Sequence, residues 1–242
     1  MKRFTSPFRK EDWALGPILR TWLDRLEGAF QARSPENIAS IIAGIEPGQV
    51  VMLAPDTWEV SAPIKIKRSC TLVGTGLGTK IRASKAFAGA ALLEVTAENV
   101  VVKDISFDGN SRSIKGVKGT ANGLSVFGCK FDNFTTGIEV SGGNGALVST
   151  CYFLCTNSGV TLKGTSSSNR ICENHIQVSG DDSSTNVGGI VMGNEVSLTS
   201  VTGNVSSKKI KFHNTGGAQS FAAPGNLGNH VAGNAAALAE TT

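Results

Sequence analysis

The stretch EPGQVVMLAPDTWEVSAPIKIKRSCTLVGTGLGTKI, residues 46–81, decides how the rest of the chain is read. Short apolar runs alternate with turns, and no run is long enough for a helix. Ile64 and Ile66 are separated by Lys65 and followed by Lys67, the period of two expected for a strand with one buried side. The same in-out-in triplet returns as Leu93-Glu94-Val95, Ile138-Glu139-Val140, Val160-Thr161-Leu162 and Ile190-Val191-Met192. In three cases a glycine stands just before it: Gly137, Gly159 and Gly189.

A second repeating element lies upstream of each triplet. It reads Ile105-Ser-Phe107, Cys129-Lys-Phe131, Cys151-Tyr-Phe153, Asn174-His-Ile176 and Gly203-Asn-Val205. The steps from Phe107 through Phe131, Phe153 and Ile176 are 24, 22 and 23 residues. The last step, to Val205, is 29 residues and contains the polar insert SGDDSSTNV. The turn near residues 111–120 reads as degenerate. A period of 22–24 residues with about three short strands describes a coil of parallel strands, because one turn cannot bury its apolar side alone and stacked turns can. Phe107, Phe131, Phe153, Ile176 and Val205 are the expected core ladder. Roughly seven turns fit between Val50 and Thr215, a stack of ~35 Å at ~4.8 Å per turn.

Outside the coil the pattern changes. In GPILRTWLDRLEGAFQAR, Leu19, Trp22, Leu23, Leu26 and Phe30 form one stripe of a helix that Pro17 can open. SPENIASIIAGI reads as a second helix, with Ser34 as N-cap, Pro35 at N1 and Ile38, Ile41, Ile42 and Ile45 on one face. The expected organisation is therefore a basic arm and attachment helix (1–33), a parallel β-helix with its capping helix (34–215), and a Gly/Ala/Asn-rich C-terminal tail or cap (216–242). Because the Ile38–Ile45 helix already caps the coil, the Trp22 stripe is surplus to capping and is expected to dock onto another subunit or a neighbouring protein.

Composition agrees with a strand-rich coil: 242 residues, 40% hydrophobic, 6% aromatic and 29 glycines. The net charge of +4 is too mild to argue for nucleic acid. No stretch approaches the ~20 apolar residues of a membrane-spanning helix. MKRFTSPFRKEDW lacks the apolar segment of a secretory signal, so synthesis in a cytoplasm is expected. Five cysteines, an odd number without a CxxC pair, argue against a disulfide framework or a structural zinc.

The order of a helix, then PG, VVMLAPDTWEV and IKIKRSCTLVGTGLGTKI resembles the first coil of right-handed parallel β-helix proteins of the pectate-lyase-like superfamily. Gly48, Val51, Leu53, Trp58, Leu72, Gly74, Gly76 and Thr79 fill that family's frame, and Asp56 stands where glycine is usual. The resemblance implies an all-β, right-handed, single-stranded parallel β-helix preceded by N-terminal helices. In plan it is closest to bacteriophage tailspikes and appendages, which implies a homotrimeric virion structural protein. Residues 1–33 would then join other virion proteins, and host-surface polysaccharide is an expected contact. The alternative within the superfamily is a polysaccharide lyase or glycoside hydrolase.

Candidate chemistry is sparse. Asp104 and Asp108 flank Ile105-Ser-Phe107 and are expected to face a groove together with Asp132, with Arg112 and Lys115 nearby as bases. A lyase would hold Ca²⁺ on such carboxylates; without that activity no cofactor is expected. Asp181 and Asp182 resemble one motif of polygalacturonases, whose companion motifs have no counterpart here, and they read as turn residues. His175 should face outward. Asn174 reads as a ladder residue bonded to backbone, and Cys129 and Cys151 as buried small hydrophobes. Large aromatics able to stack on sugars are few.

Overall fold

A computed structural model describes residues 38–181, 187–193, 195–214, 217–219 and 230–236. Helix α1 (Ile38–Ala43) buries Ile38 and Ile42 and packs on the strand Ile64–Ile66 of the first turn. Ile45 closes the same apolar face, and Arg68 Nη1 donates 2.7 Å to its carbonyl. The stripe of Leu19, Trp22, Leu23, Leu26 and Phe30 lies outside the described residues.

From Gln49 the chain winds as a parallel β-helix with three sides. The first side stacks 49–52, 70–73, 101–103, 125–127, 147–149, 170–172, 200–202 and 230–232. The second stacks 57–60, 80–83, 106–108, 130–132, 152–155, 175–178, 205–206 and 235–236. The third stacks 64–66, 93–95, 117–119, 138–140, 160–162, 190–192 and 210–212. These make seven complete turns and two sides of an eighth, all in parallel register. Within the span 216–242 that the sequence reads as a tail or cap, His230–Ala232 and Ala235–Ala236 pair in parallel with the seventh turn. A short antiparallel hairpin pairs 212–214 with 217–219.

The interior is built from like side chains in vertical rows. Phe107, Phe131 and Phe153 stack with centroids 5.0 Å apart and planes within 9°. Trp58 and Ile81 extend the row below, and Ile176 above. The phenylalanines need room across the coil, and a glycine column supplies it. A Cβ on Gly116 would stand 2.6 Å from Phe131 Cδ1, and one on Gly159 2.6 Å from Ile176 Cγ2. Gly137 faces Phe153 in the same way. The turn at 111–120, degenerate in sequence, is regular: Val117 sits in register between Leu93 and Ile138.

Val205 does not continue the ladder. It pairs with outward His175 and is exposed, while Ser206 pairs with Ile176 and is buried. The cause is the two-residue corner between the first and second sides. Its first residue is left-handed in every turn from the third: Asp104, Gly128, Thr150, Glu173, Gly203 and Gly233 have φ between 51° and 65°. Its second residue points inward: Ile105, Cys129, Cys151, Asn174, Asn204 and Asn234. Asn174 Oδ1 accepts from Cys151 N at 3.0 Å, Asn204 Oδ1 from Asn174 N at 3.0 Å, and Asn234 Oδ1 from Asn204 N at 2.8 Å. Their amide nitrogens donate to the carbonyls of Val148, Ile171 and Val201. Asparagine thus satisfies buried backbone in both directions, and it fixes the register of the seventh turn against the apolar pattern.

The family frame also has a physical reading. Gly48 and Gly76 both have φ +79°, a backbone that side chains rarely adopt. Thr79 is buried, and its hydroxyl lies 3.1 Å from the carbonyl of Ala54.

Candidate functional site

The outward positions of the second side bring two candidate acids together. Asp108 and Asp132 are paired in register on adjacent turns. Both are held by cations: Arg82 Nε lies 3.4 Å from Asp108 Oδ2, and Lys130 Nζ 2.7 Å from Asp132 Oδ2. Asp108 Oδ1 accepts from Asn110 N at 2.9 Å and from Asn133 Nδ2 at 3.0 Å. Asp132 Oδ1 is buried without a hydrogen-bond partner.

The other candidates lie elsewhere. Asp104 occupies the left-handed corner position and packs beside Gly128, whose Cβ would stand 2.6 Å from Asp104 Oδ1. It does not share a groove with Asp108, because the corner turns the chain between them. Arg112 donates to the carbonyl of Phe87 at 3.3 Å, and Lys115 is engaged by Glu139, so neither is poised over the Asp108–Asp132 pair. Asp181 is exposed, and Asp182 lies outside the described residues. Among the described residues, no three His, Cys, Asp or Glu side chains converge as a metal would require.

Above the acids, Tyr152 and His175 stack 4.9 Å apart at 11°, with Lys130 Nζ 5.9 Å from the tyrosine ring. His175 is exposed, as expected for its phase. The rings are stacked along the coil axis, so their edges, not their faces, are presented to solvent. Beside them an open groove of about 320 Å³ is lined by Asn133, Leu154, Cys155, Thr156, Gln177 and Ser179.

The third side holds a charge site that no motif announces. Glu139 is 4% exposed, with Lys115 Nζ 2.6 Å from Oε1 and Lys163 Nζ 3.1 Å from Oε2. Burial pushes its pKa up, but the hydrogen bonds and charges of the two lysines outweigh this and hold the carboxyl below the ordinary glutamate value. Next to it, Thr136, Ser158 and Thr161 form a buried hydroxyl chain with spacings of 3.1 and 2.8 Å. The signal in the sequence is the phase of Ile138-Glu139-Val140, which sets Glu139 in one outward row with Lys118, Glu94 and Lys65.

The five cysteines are free and buried. Burial alone pushes the Cys70 thiol up to about 11. Burial, joined by the hydrogen bond to Cys151, raises Cys129 well above the usual thiol value. Such thiols are packing groups and poor nucleophiles.

No known family matches the chain, and no curated protein does. Among solved structures, the catalytic domain of a GH87 alpha-1,3-glucanase in complex with tetrasaccharides is 14% identical, with a TM-score of 0.55 over 86% of this chain and 45% of that one. The same domain in complex with nigerose is 13% identical, with a TM-score of 0.55 and the same coverage. ORF18 of Geobacillus virus E2 is 13% identical with a TM-score of 0.45, covering 78% of this chain and 55% of that one, too distant to support an inference. The chain spans about half the length of these structures. At such identity the glucanase likeness shows the fold alone. The chain is a parallel β-helix protein.

Proposed function

We propose that the chain is a bacteriophage virion structural protein: a homotrimeric tailspike, fibre or surface appendage that projects from the particle and contacts host-surface polysaccharide. Residues 1–33 are its attachment to other virion proteins. The observation that carries this reading is how the coil spends its polar groups. Asp108, Asp132 and Glu139 are tied to Arg82, Lys130, Lys115 and Lys163, and the first and last of these acids brace neighbouring turns. With the inner Phe and Asn rows, they tie successive turns into one continuous body. The test is the native mass of the full chain by light scattering. Three times the 25.1 kDa of one chain supports the reading, and a monomer removes it.

The second reading, a polysaccharide lyase or hydrolase, draws on one observation: the in-register Asp108–Asp132 pair with its unpartnered Oδ1. Release of oligosaccharide from a bacterial polysaccharide, lost in Asp132→Asn, would establish it. The assay is run with and without Ca²⁺, which a lyase would hold on such carboxylates.

A further inference from the structure

The outer face of the first side differs from the other two. None of its strand segments, 49–52 through 230–232, contains Asp or Glu. The second side, by contrast, carries Glu59, Asp108 and Asp132 among its bases. Val73, Val101, Phe127 and Leu147 point outward on the first side, each half-buried, and Lys103 lies with its ammonium 5.9 Å from the Phe127 ring. The remaining outward positions include the small hydroxyls of Thr71, Ser125, Ser149, Ser200 and Thr202 and the cations Lys103 and Arg170, so the face is mixed in polarity, with no strand carboxylate to be desolvated against a neighbour.

Eight strands at ~4.8 Å give a face about 34 Å tall, and three residues give a width of about 10 Å. That planar area falls short of the ~800 Å² each partner contributes to a standard interface, so the flanking corners must take part. The sixth turn places opposite charges at the two edges. Arg170 opens its strand on the first side, and Glu173 holds the left-handed corner three residues on. Both are exposed, and neither makes an ion pair with a described residue. When copies of the chain are related by a rotation axis parallel to the coil, equal turns lie level and one edge of each face meets the opposite edge of the next. Arg170 of one copy then faces Glu173 of its neighbour.

We infer that the first side is the self-association surface of this chain, facing the rotation axis, with Arg170 and Glu173 paired between copies. This rests on the homotrimer reading above. The test is light scattering of the full chain over a dilution series, with circular dichroism to check folding. Arg170→Glu and Glu173→Arg should each raise the concentration for half-assembly at least tenfold. The double swap should return it to within threefold of wild type, and Lys118→Glu on the third side should leave it unchanged. A wild-type trimer whose single swaps assemble normally would overturn the face while leaving the trimer intact. Equal weakening by Lys118→Glu would also overturn it. A wild-type monomer would overturn the face and the homotrimer together.

Discussion

Gly116 and Phe131 approach so closely that a Cβ on the glycine would lie 2.6 Å from the ring's Cδ1, and it would also stand 2.5 Å from the Gly137 carbonyl oxygen of the same turn as the ring. The glycine is therefore a slot for an aromatic ring on the next turn, and its backbone does not require a left-handed conformation. Gly116→Ala should cost about 1–3 kcal/mol through overpacking. Gly142, with φ +83° and open space where a methyl group would stand, separates the two effects. Gly142→Ala should cost about 1–2 kcal/mol from backbone strain alone. Trimming the ring with Phe131→Leu should relieve part of the first variant's loss, the Gly137 carbonyl accounting for the rest, and none of the second's, as read from urea midpoints.

Asn174 makes the second test of the interior. Its side chain accepts from Cys151 N and donates to Val148 O, both at 3.0 Å. Asn174→Ala strands both buried backbone groups at roughly 1–3 kcal/mol each. Asn174→Cys should recover part of the loss, because Cys151 already donates to the equivalent carbonyl of Val126 at 3.6 Å. Thermal unfolding of the three proteins side by side gives the ranking; equal losses in both variants would mean the donated bond contributes nothing.

Acid should weaken the third side. Glu139 has a depressed pKa in the folded chain, so its stabilisation is complete above the unfolded value of about 4.3 and is lost as pH falls toward the folded value. Glu139→Gln should be less stable at neutral pH, by roughly 1.5–3 kcal/mol for hydrogen bonds to a charged group. The gap to wild type should close in acid. Parallel melting curves for the two proteins at all pH values would show that Glu139 does not titrate in this way.

Most of the coil is legible in the sequence because its period is carried by bulky residues. Phe107, Phe131 and Phe153 recur at near-constant steps and are stacked as their spacing implies. The seventh turn misleads because Val205 looks like the next apolar rung. The register there is set by polar groups, and the 30-residue steps from Asn174 to Asn204 to Asn234 are the readable sign. The site is less legible. Asp104 and Asp108 are four residues apart, which in a straight strand would put them on one face. A left-handed corner at Asp104 breaks that rule; aspartate tolerates φ 56°, but the other corners hold Gly, Thr and Glu, so no common residue type marks the position. Glu139 is visible only as one outward acid among several, since its burial depends on lysines 24 residues to either side.

Thiol chemistry offers a prediction that depends only on packing. All five cysteines are buried, and burial raises the Cys70 thiol to about 11, far above neutral pH. An aromatic disulfide reagent at neutral pH should label none of them in the native chain and all five after denaturation. Rapid labelling of Cys129 or Cys151 in the native state would contradict the corner ladder.

The repeated corner makes the length of this molecule adjustable in whole steps. Residues 130–151 begin and end at the same point of the cycle, between the inward cysteines of two successive turns. A duplication of that segment in the gene would add one storey of ~4.8 Å while leaving both ends and every neighbouring contact in kind. Bodies of different reach can thus arise from one ancestral segment by copying, with no new fold to be discovered.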